Sequence, residues 1–175
     1  GSGKRVFWKC NEGHSWDTTV AQRAPYKTGC PCCAGKKACP DNNLEFLRPS
    51  LAKEWHFEKN SPLLPSEVMP NHNKKVWWIC EFSHPYDATC NNRNYGKGCP
   101  YCSGHRVGYG NSLADLSPTI SKEWVIELNG EKTPKNTLNG SGYKAWWLCK
   151  NGHYYHKRVI DRTGKKKGKC PHCPG

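Results

Sequence analysis

No apolar run in this 175-residue sequence approaches the roughly 18 residues that a membrane span needs, and no charged-then-apolar N-terminus reads as a secretory signal. Aliphatic bulk is scarce: hydrophobic residues make up 35% of the chain, with a single methionine. Acidic residues are scarce too, 14 Asp+Glu against 27 Lys+Arg, which leaves a net charge of +13. That balance excludes a neutral, inert surface and points to a polyanionic partner. What the chain has instead is 12 cysteines and eight tryptophans. The large apolar side chains are therefore mostly rigid aromatics.

The cysteines are spaced for metal. Cys30-Pro-Cys-Cys33, Cys99-Pro-Tyr-Cys102 and Cys170-Pro-His-Cys173 are three Cys-Pro-x-Cys turns, each preceded by a Cys-x-x-x-His: Cys10 and His14, Cys80 and His84, Cys149 and His153. A disulfide framework has no use for a histidine at a fixed offset, whereas zinc does. The loops between histidine and second pair, 15–29, 85–98 and 154–169, drift in length while ligand spacing holds. Each set of three cysteines and one histidine closes a tetrahedron and leaves no position for water. The expectation is three structural Zn²⁺ per chain, in a reducing cytoplasm where thiolates survive. Cys32, Cys39 and Cys90 have no counterparts and read as buried or half-exposed thiols. His56, His72, His105, His156 and His172 do not repeat either and read as surface or packing histidines.

The sequence is periodic. Asn43-Leu44 returns as Ser112-Leu113, Pro49 as Pro118, Glu54-Trp55 as Glu123-Trp124, Pro65 as Pro134, and Trp77-Trp78-Ile79-Cys80 as Trp146-Trp147-Leu148-Cys149, all at one constant offset. Phe7-Trp8-Lys9-Cys10 is the same element again, upstream by that offset and one position more. Gly1-Ser2-Gly3 reads as a cloning scar. Three segments follow: a partial repeat over 4–40, a full repeat over 41–110 and another over 111–175, as if cut from a longer array. In each full repeat a helical half comes first. Leu44, Leu47, Leu51 and Trp55 form a stripe at helical spacing, copied by Leu113, Leu116, Ile120 and Trp124, with Ser117-Pro118 as N-cap and first turn. A turn-rich segment leads to a strand, Lys75–Cys80 or its copy, then a knuckle, a return strand and a second knuckle. The predicted class is small α+β, metal-stabilised: a tandem array of zinc-ribbon or treble-clef-like β-hairpin modules joined by short helical segments. A repeat this short and this poor in aliphatics needs the metal, since structural zinc in finger peptides is worth about 10–16 kcal/mol.

Asn111-Ser112-Leu113, Pro118, Glu123-Trp124, Trp146-Trp147-Leu-Cys149, Gly152-His153, Arg162 and Cys170-Pro-His-Cys173 together resemble a repeat family of bacterial and phage proteins, the zinc-ribbon or treble-clef zinc-finger domain. The resemblance covers residues 4–175. Ser83 departs from it where Gly13 and Gly152 stand, Tyr86 and Tyr155 replace Trp16, and the first helical half is missing. It implies nucleic-acid binding, and an array that can be appended to homing or restriction-type endonucleases.

Charge divides by half-repeat. The zinc segments 1–40, 71–110 and 143–175 carry +5, +3 and +8, and the helical segments 41–70 and 111–142 carry −2 and −1. A polyanion-binding face on the zinc halves accounts for that split. Candidate contacts are Arg5, Lys75 and Lys144, five before each first ligand; Arg23, Arg93 and Arg162, seven after Trp16, Tyr86 and Tyr155; Lys36, Lys37 and Arg106 beyond the second knuckle; and Lys165, Lys166 and Lys167. The alternative for the three in-register arginines is a structural salt bridge or a carbonyl cap across the hairpin, and for the lysine run a solvated loop. One tryptophan of each Trp-Trp pair should pack inward and its neighbour stay half exposed. With no carboxylate pair, nucleophile or open metal position in register, no enzyme is expected. The expected function is a monomeric DNA-binding array, the targeting part of a larger protein such as a nuclease, working at a bacterial nucleoid or in a phage-infected cell. RNA or single-stranded nucleic acid, and a protein-interaction scaffold, are the alternatives.

Overall fold

The structure is a computed structural model that describes residues 2–23, 28–165 and 168–173. Its elements run β1 (Arg5–Lys9), β2 (Ser15–Thr19), α1 (Val20–Arg23), α2 (Leu44–Leu47), α3 (Pro49–Ala52), α4 (Phe57–Asn60), β3 (Lys75–Ile79), β4 (Pro85–Thr89) and α5 (Cys90–Asn94). They continue with α6 (Leu113–Leu116), α7 (Pro118–Ser121), β5 (Lys144–Leu148), β6 (Tyr154–Arg158) and α8 (Val159–Thr163). The chain divides into two compact units, residues 1–97 and 98–175.

Each repeat contributes one antiparallel hairpin in the same register. Trp8 faces Trp16 across β1–β2, Trp78 faces Tyr86 across β3–β4, and Trp147 faces Tyr155 across β5–β6. The hairpin turn is the Cys-x-x-x-His knuckle. Its residue before the histidine needs the left-handed region: Gly13 sits at φ +86° and Gly152 at +82°, and Ser83 takes +59° in their place. A residue with a Cβ pays about 1–2 kcal/mol for that conformation, which is why glycine holds two of the three positions.

A short helix follows each return strand, namely α1, α5 and α8. The sequence reading passed directly from strand to knuckle and missed them, because single turns this short carry no helical period. Thr89 caps α5, its Oγ1 accepting from the Asn92 N–H at 3.0 Å. These helices place Arg23, Arg93 and Arg162 beside the hairpin.

The helical half differs from expectation. The leucine stripe is broken into two single turns, α2 with α3 and α6 with α7, rather than one continuous helix. Arg48 and Ser117 leave the helix at φ −140°, because the following proline restricts them and lacks an N–H to donate. Ser117 does precede Pro118 at the first turn of α7, yet its side chain makes no cap, while the capping bonds belong to Asn43 and Ser112. The break turns Leu47 and Leu116 outward, at 42% and 58% exposed, while Leu44 and Leu113 stay fully buried. Trp55 and Trp124 are not helical. Each forms an isolated antiparallel bridge, to Trp78 and Trp147.

The core of each full repeat sits between this half and its hairpin. Trp55 meets Trp78 edge-on at 5.5 Å, and Trp124 meets Trp147 at 5.2 Å. Their indole N–H groups stay satisfied: Trp78 donates to the Ala88 carbonyl at 3.0 Å and Trp147 to that of Lys157 at 2.9 Å. Trp77 and Trp146 alternate to the other face and remain 37% exposed, as strand geometry requires. Lys59 Nζ lies 4.0 Å from the centre of the Trp77 ring, and His156 stacks on Trp146 at 4.8 Å.

Candidate metal centres

Hairpin turn and second knuckle bring together the residues predicted from spacing: Cys10, His14, Cys30 and Cys33; Cys80, His84, Cys99 and Cys102; Cys149, His153, Cys170 and Cys173. Within each set all four ligand atoms lie within 4.8 Å of one another. In the first set, Cys10 Sγ is 3.7 Å from Cys33 Sγ, and His14 Nδ1 is 3.4 Å from both. In the third, Cys149 Sγ is 3.6 Å from Cys173 Sγ and from His153 Nδ1, which is 3.4 Å from Cys173 and 3.9 Å from Cys170. Tetrahedral zinc with Zn–S of about 2.3 Å and Zn–N of about 2.0–2.1 Å demands S–S edges of about 3.7–3.8 Å and S–N edges of about 3.5–3.6 Å. The distances given for the first and third sets lie close to those edges, and three structural zinc ions fit the chain. A closed set of this kind holds structure together and offers no free coordination position.

Surrounding groups orient these ligands. His14 presents Nδ1 to the set and its Nε2 meets Asp41 Oδ2 at 2.9 Å, the outer hydrogen bond that fixes a ligand imidazole. Asn151 Nδ2 donates to Cys173 Sγ at 3.2 Å. Lost hydration works against the Cys149 thiolate, but the backbone N–H groups of His153 and Asn151 and the neighbouring thiols bring its pKa down to about 6. Cys33 goes the other way: lost hydration, then the crowding thiols of Cys10 and Cys30, push it up to about 12. One thiolate therefore resists the next, and a bound dication removes that penalty.

The unmatched cysteines divide. Cys90 is a buried thiol, pushed up to about 11 by burial. Cys32 and Cys39 are not free thiols, as expected from sequence, but a disulfide. The bond joins two cysteines that no zinc set needs, and the turn after the knuckle brings their Cα atoms to 5.8 Å.

Two of the three in-register arginines are internal. Arg93 Nη2 meets Glu54 Oε2 at 2.5 Å while Nη1 donates to the Lys97 carbonyl at 2.7 Å. Arg162 repeats the arrangement with Glu123 at 2.5 Å and the Gly168 carbonyl at 2.9 Å. Each guanidinium also lies over a Trp ring, at 5.6 Å from Trp78 and 5.3 Å from Trp147. Both arginines are buried, and each makes the salt bridge and the carbonyl cap at once. Arg23 is half-buried over Trp8 at 5.5 Å and donates to the Thr28 carbonyl at 3.0 Å.

The other basic candidates lie at or near the surface. Lys36, Lys37, Lys144 and Lys165 are exposed and Arg106 is half-buried. Arg5 and Lys75 are exposed and pair with Asp17 at 2.6 Å and Asp87 at 2.8 Å. Lys166 and Lys167 fall outside the described residues. Sequence reasoning missed Asn60 and Asn129. The side chain of each bridges both backbone polar groups of an exposed tryptophan, Asn60 on Trp77 at 2.7 and 2.8 Å and Asn129 on Trp146 at 2.9 Å twice. The signal available was that the two asparagines stand at the repeat offset from each other.

A family model described as a probable treble clef zinc finger domain matches the chain three times, over residues 1–36, 51–105 and 120–175. No curated protein matches it. Among the described residues no helix is long and apolar enough to cross a membrane.

Proposed function

This chain belongs to the probable treble clef zinc finger domain family, and on that premise we propose that it is a non-enzymatic, zinc-dependent DNA-binding array. The observation that carries the reading is the partition of charge, +16 on the zinc halves against −3 on the helical halves. Lys36, Lys37, Lys144 and Lys165 supply exposed cations. Arg5 and Lys75 remain available because an exposed pair with an aspartate is worth only about 0–1 kcal/mol and yields to a phosphate. The modules hold these cations at a fixed interval along the chain, and a uniform duplex rewards regular presentation. The closed ligand sets favour a binding role over catalysis. The array works as a monomer that targets a larger protein, such as a nuclease, to DNA in the cytoplasm, at a bacterial nucleoid or in a phage-infected cell.

Binding to random duplex DNA across a salt series, with an RNA pool in parallel, tests this. Two or three phosphate contacts per module give a slope of log K against log salt of roughly −5 to −8 on B-DNA. A slope near zero removes the electrostatic reading, and enrichment of a motif from RNA alone reassigns the ligand.

A further inference from the structure

After the second knuckle of the first and second zinc sets the chain builds the same loop twice. The Ala34 N–H donates to the Cys30 carbonyl at 2.9 Å, and the Lys36 and Lys37 N–H groups share the Pro31 carbonyl at 2.8 and 3.2 Å. At the repeat offset, the Ser103 N–H donates to the Cys99 carbonyl at 3.1 Å, and those of His105 and Arg106 share the Pro100 carbonyl at 2.8 and 2.9 Å. One asparagine then ties each loop together. Asn42 Nδ2 donates to the Cys32 and Lys37 carbonyls at 2.9 and 3.1 Å, and its Oδ1 accepts from the Cys39 N–H at 2.7 Å. Asn111 repeats all three bonds, to Tyr101 at 3.0 Å, to Arg106 at 2.8 Å and from Gly108 at 2.9 Å.

Only the closure differs. In the first loop Cys32 and Cys39 are bonded. In the second, Tyr101 and Gly108 hold those two positions, and the ring lies so near that a Cβ on Gly108 would meet it at 3.2 Å. Tyr109 packs edge-on to the same ring at 4.8 Å. Two unrelated contacts enforce one backbone shape, so the shape is what both repeats retain. Each loop carries a basic pair on that shape. Lys36, Lys37 and His105 are exposed and Arg106 is half-buried. No acidic residue stands between the first knuckle cysteine and the pair in either loop.

Resting on the DNA-binding reading, we infer that these loops are preformed phosphate-binding elements of the array. Lys36 with Lys37, and His105 with Arg106, meet backbone phosphates. Asn42, Asn111, the Cys32–Cys39 bond and the Tyr101–Gly108 contact are positioning elements that act through those cations. Zinc anchors each loop only at its knuckle, and a loop fixed along its remaining length spares the ordering cost that a mobile one meets on binding. The competing role for the cations is local. Three thiolates and one Zn²⁺ leave one negative charge on each set, which nearby lysines would offset.

The test is the anisotropy of a labelled random-sequence DNA duplex titrated with the zinc-loaded full chain across a salt series, with zinc content measured for every variant. Lys36→Gln with Lys37→Gln should lower affinity about tenfold and make the slope of log K against log salt shallower by about 2, and Arg106→Gln should make it shallower by about 1. Cys32→Ser with Cys39→Ser should lower affinity about threefold to tenfold, and should do nothing further in a chain that already lacks both lysines. Zinc content should not change in any of them. The two lysines are exposed, so their variant decides the matter even if the serine pair loosens its module. A wild-type chain that binds no duplex overturns the DNA-binding reading and this inference with it. Salt-dependent binding whose slope the lysine variant leaves unchanged overturns this inference alone, as does a lysine variant that loses zinc but keeps its affinity. An equal loss from the serine pair with and without the lysines overturns the positioning role.

Discussion

Glu54 and Arg93 belong to opposite halves of one repeat, and Oε2 of one lies 2.5 Å from Nη2 of the other. The pair clasps the helical half of the repeat to its zinc half, and Glu123 with Arg162 repeats it. Tyr155 joins the second clasp by donating to Glu123 Oε2 at 2.9 Å, which together with burial holds its phenol protonated. A lysine would not serve here. The guanidinium reaches the carboxylate with one nitrogen and the Lys97 carbonyl with another while lying over Trp78 and Tyr86. The Glu-Trp dipeptide thus uses both residues: the glutamate clasps and the tryptophan fills the core.

Removing one member of such a pair strands the other. Arg93→Leu and Glu54→Gln should each destabilise the second repeat by about 2–3 kcal/mol, below the full cost of breaking a buried pair because the glutamate is about a third exposed. Arg162→Leu should do the same in the third. Lys75→Glu, at an exposed site, should leave the melt within about 0.5 kcal/mol while weakening any polyanion binding. Thermal unfolding of the four variants checks this, and an unchanged melt for Arg93→Leu would contradict the clasp.

Buried and half-exposed tryptophans should separate cleanly. Trp55→Ala and Trp124→Ala remove buried rings and should cost about 3–5 kcal/mol each. Trp77→Ala and Trp146→Ala remove rings that are 37% exposed and should cost about 1 kcal/mol. Urea unfolding followed by far-ultraviolet dichroism distinguishes the two classes.

Cysteine roles predict a sharper contrast. Cys80→Ser breaks a zinc set and should unfold the second module, since most of its folding free energy resides in the metal. Cys90→Ala removes a buried thiol outside the sets and should cost about 1 kcal/mol. Zinc content should fall by one ion per chain for the first variant and stay constant for the second.

Acid should empty the modules. Protons and metal compete for the same thiolates, so metal-derived stability is present at high pH and lost as pH falls. Zinc content and far-ultraviolet dichroism along a descending pH titration should fall together; a fold that survives release of the metal would contradict the structural role of the sets.

Much of this was legible because ligand spacing is a covalent property. Two tight knuckles can face one ion only through the residues named, so all twelve ligands could be read from the sequence and meet as expected. The repeat offset likewise exposed the Glu-Trp and Trp-Trp elements. The failures share a cause, which is that function at a position depends on what the fold brings beside it. Arg93 and Arg162 read as phosphate contacts until α5 and α8 turned them onto Glu54 and Glu123. Leu47 and Leu116 kept helical spacing, but the prolines at 49 and 118 ended the turn and faced them outward. Cys32 and Cys39 lacked counterparts, so nothing in register signalled their bond.

Three closed zinc sets hold the modules together, and native mass spectrometry of the chain in ammonium acetate tests this most directly. The expected result is a single dominant species heavier than the bare chain by three zinc ions, with protons displaced by the metal-bound thiolates and one Cys32–Cys39 bond retained. A dominant species without metal, in which two of Cys10, Cys30 and Cys33, or two of their equivalents in the other sets, are joined as a disulfide, would contradict it.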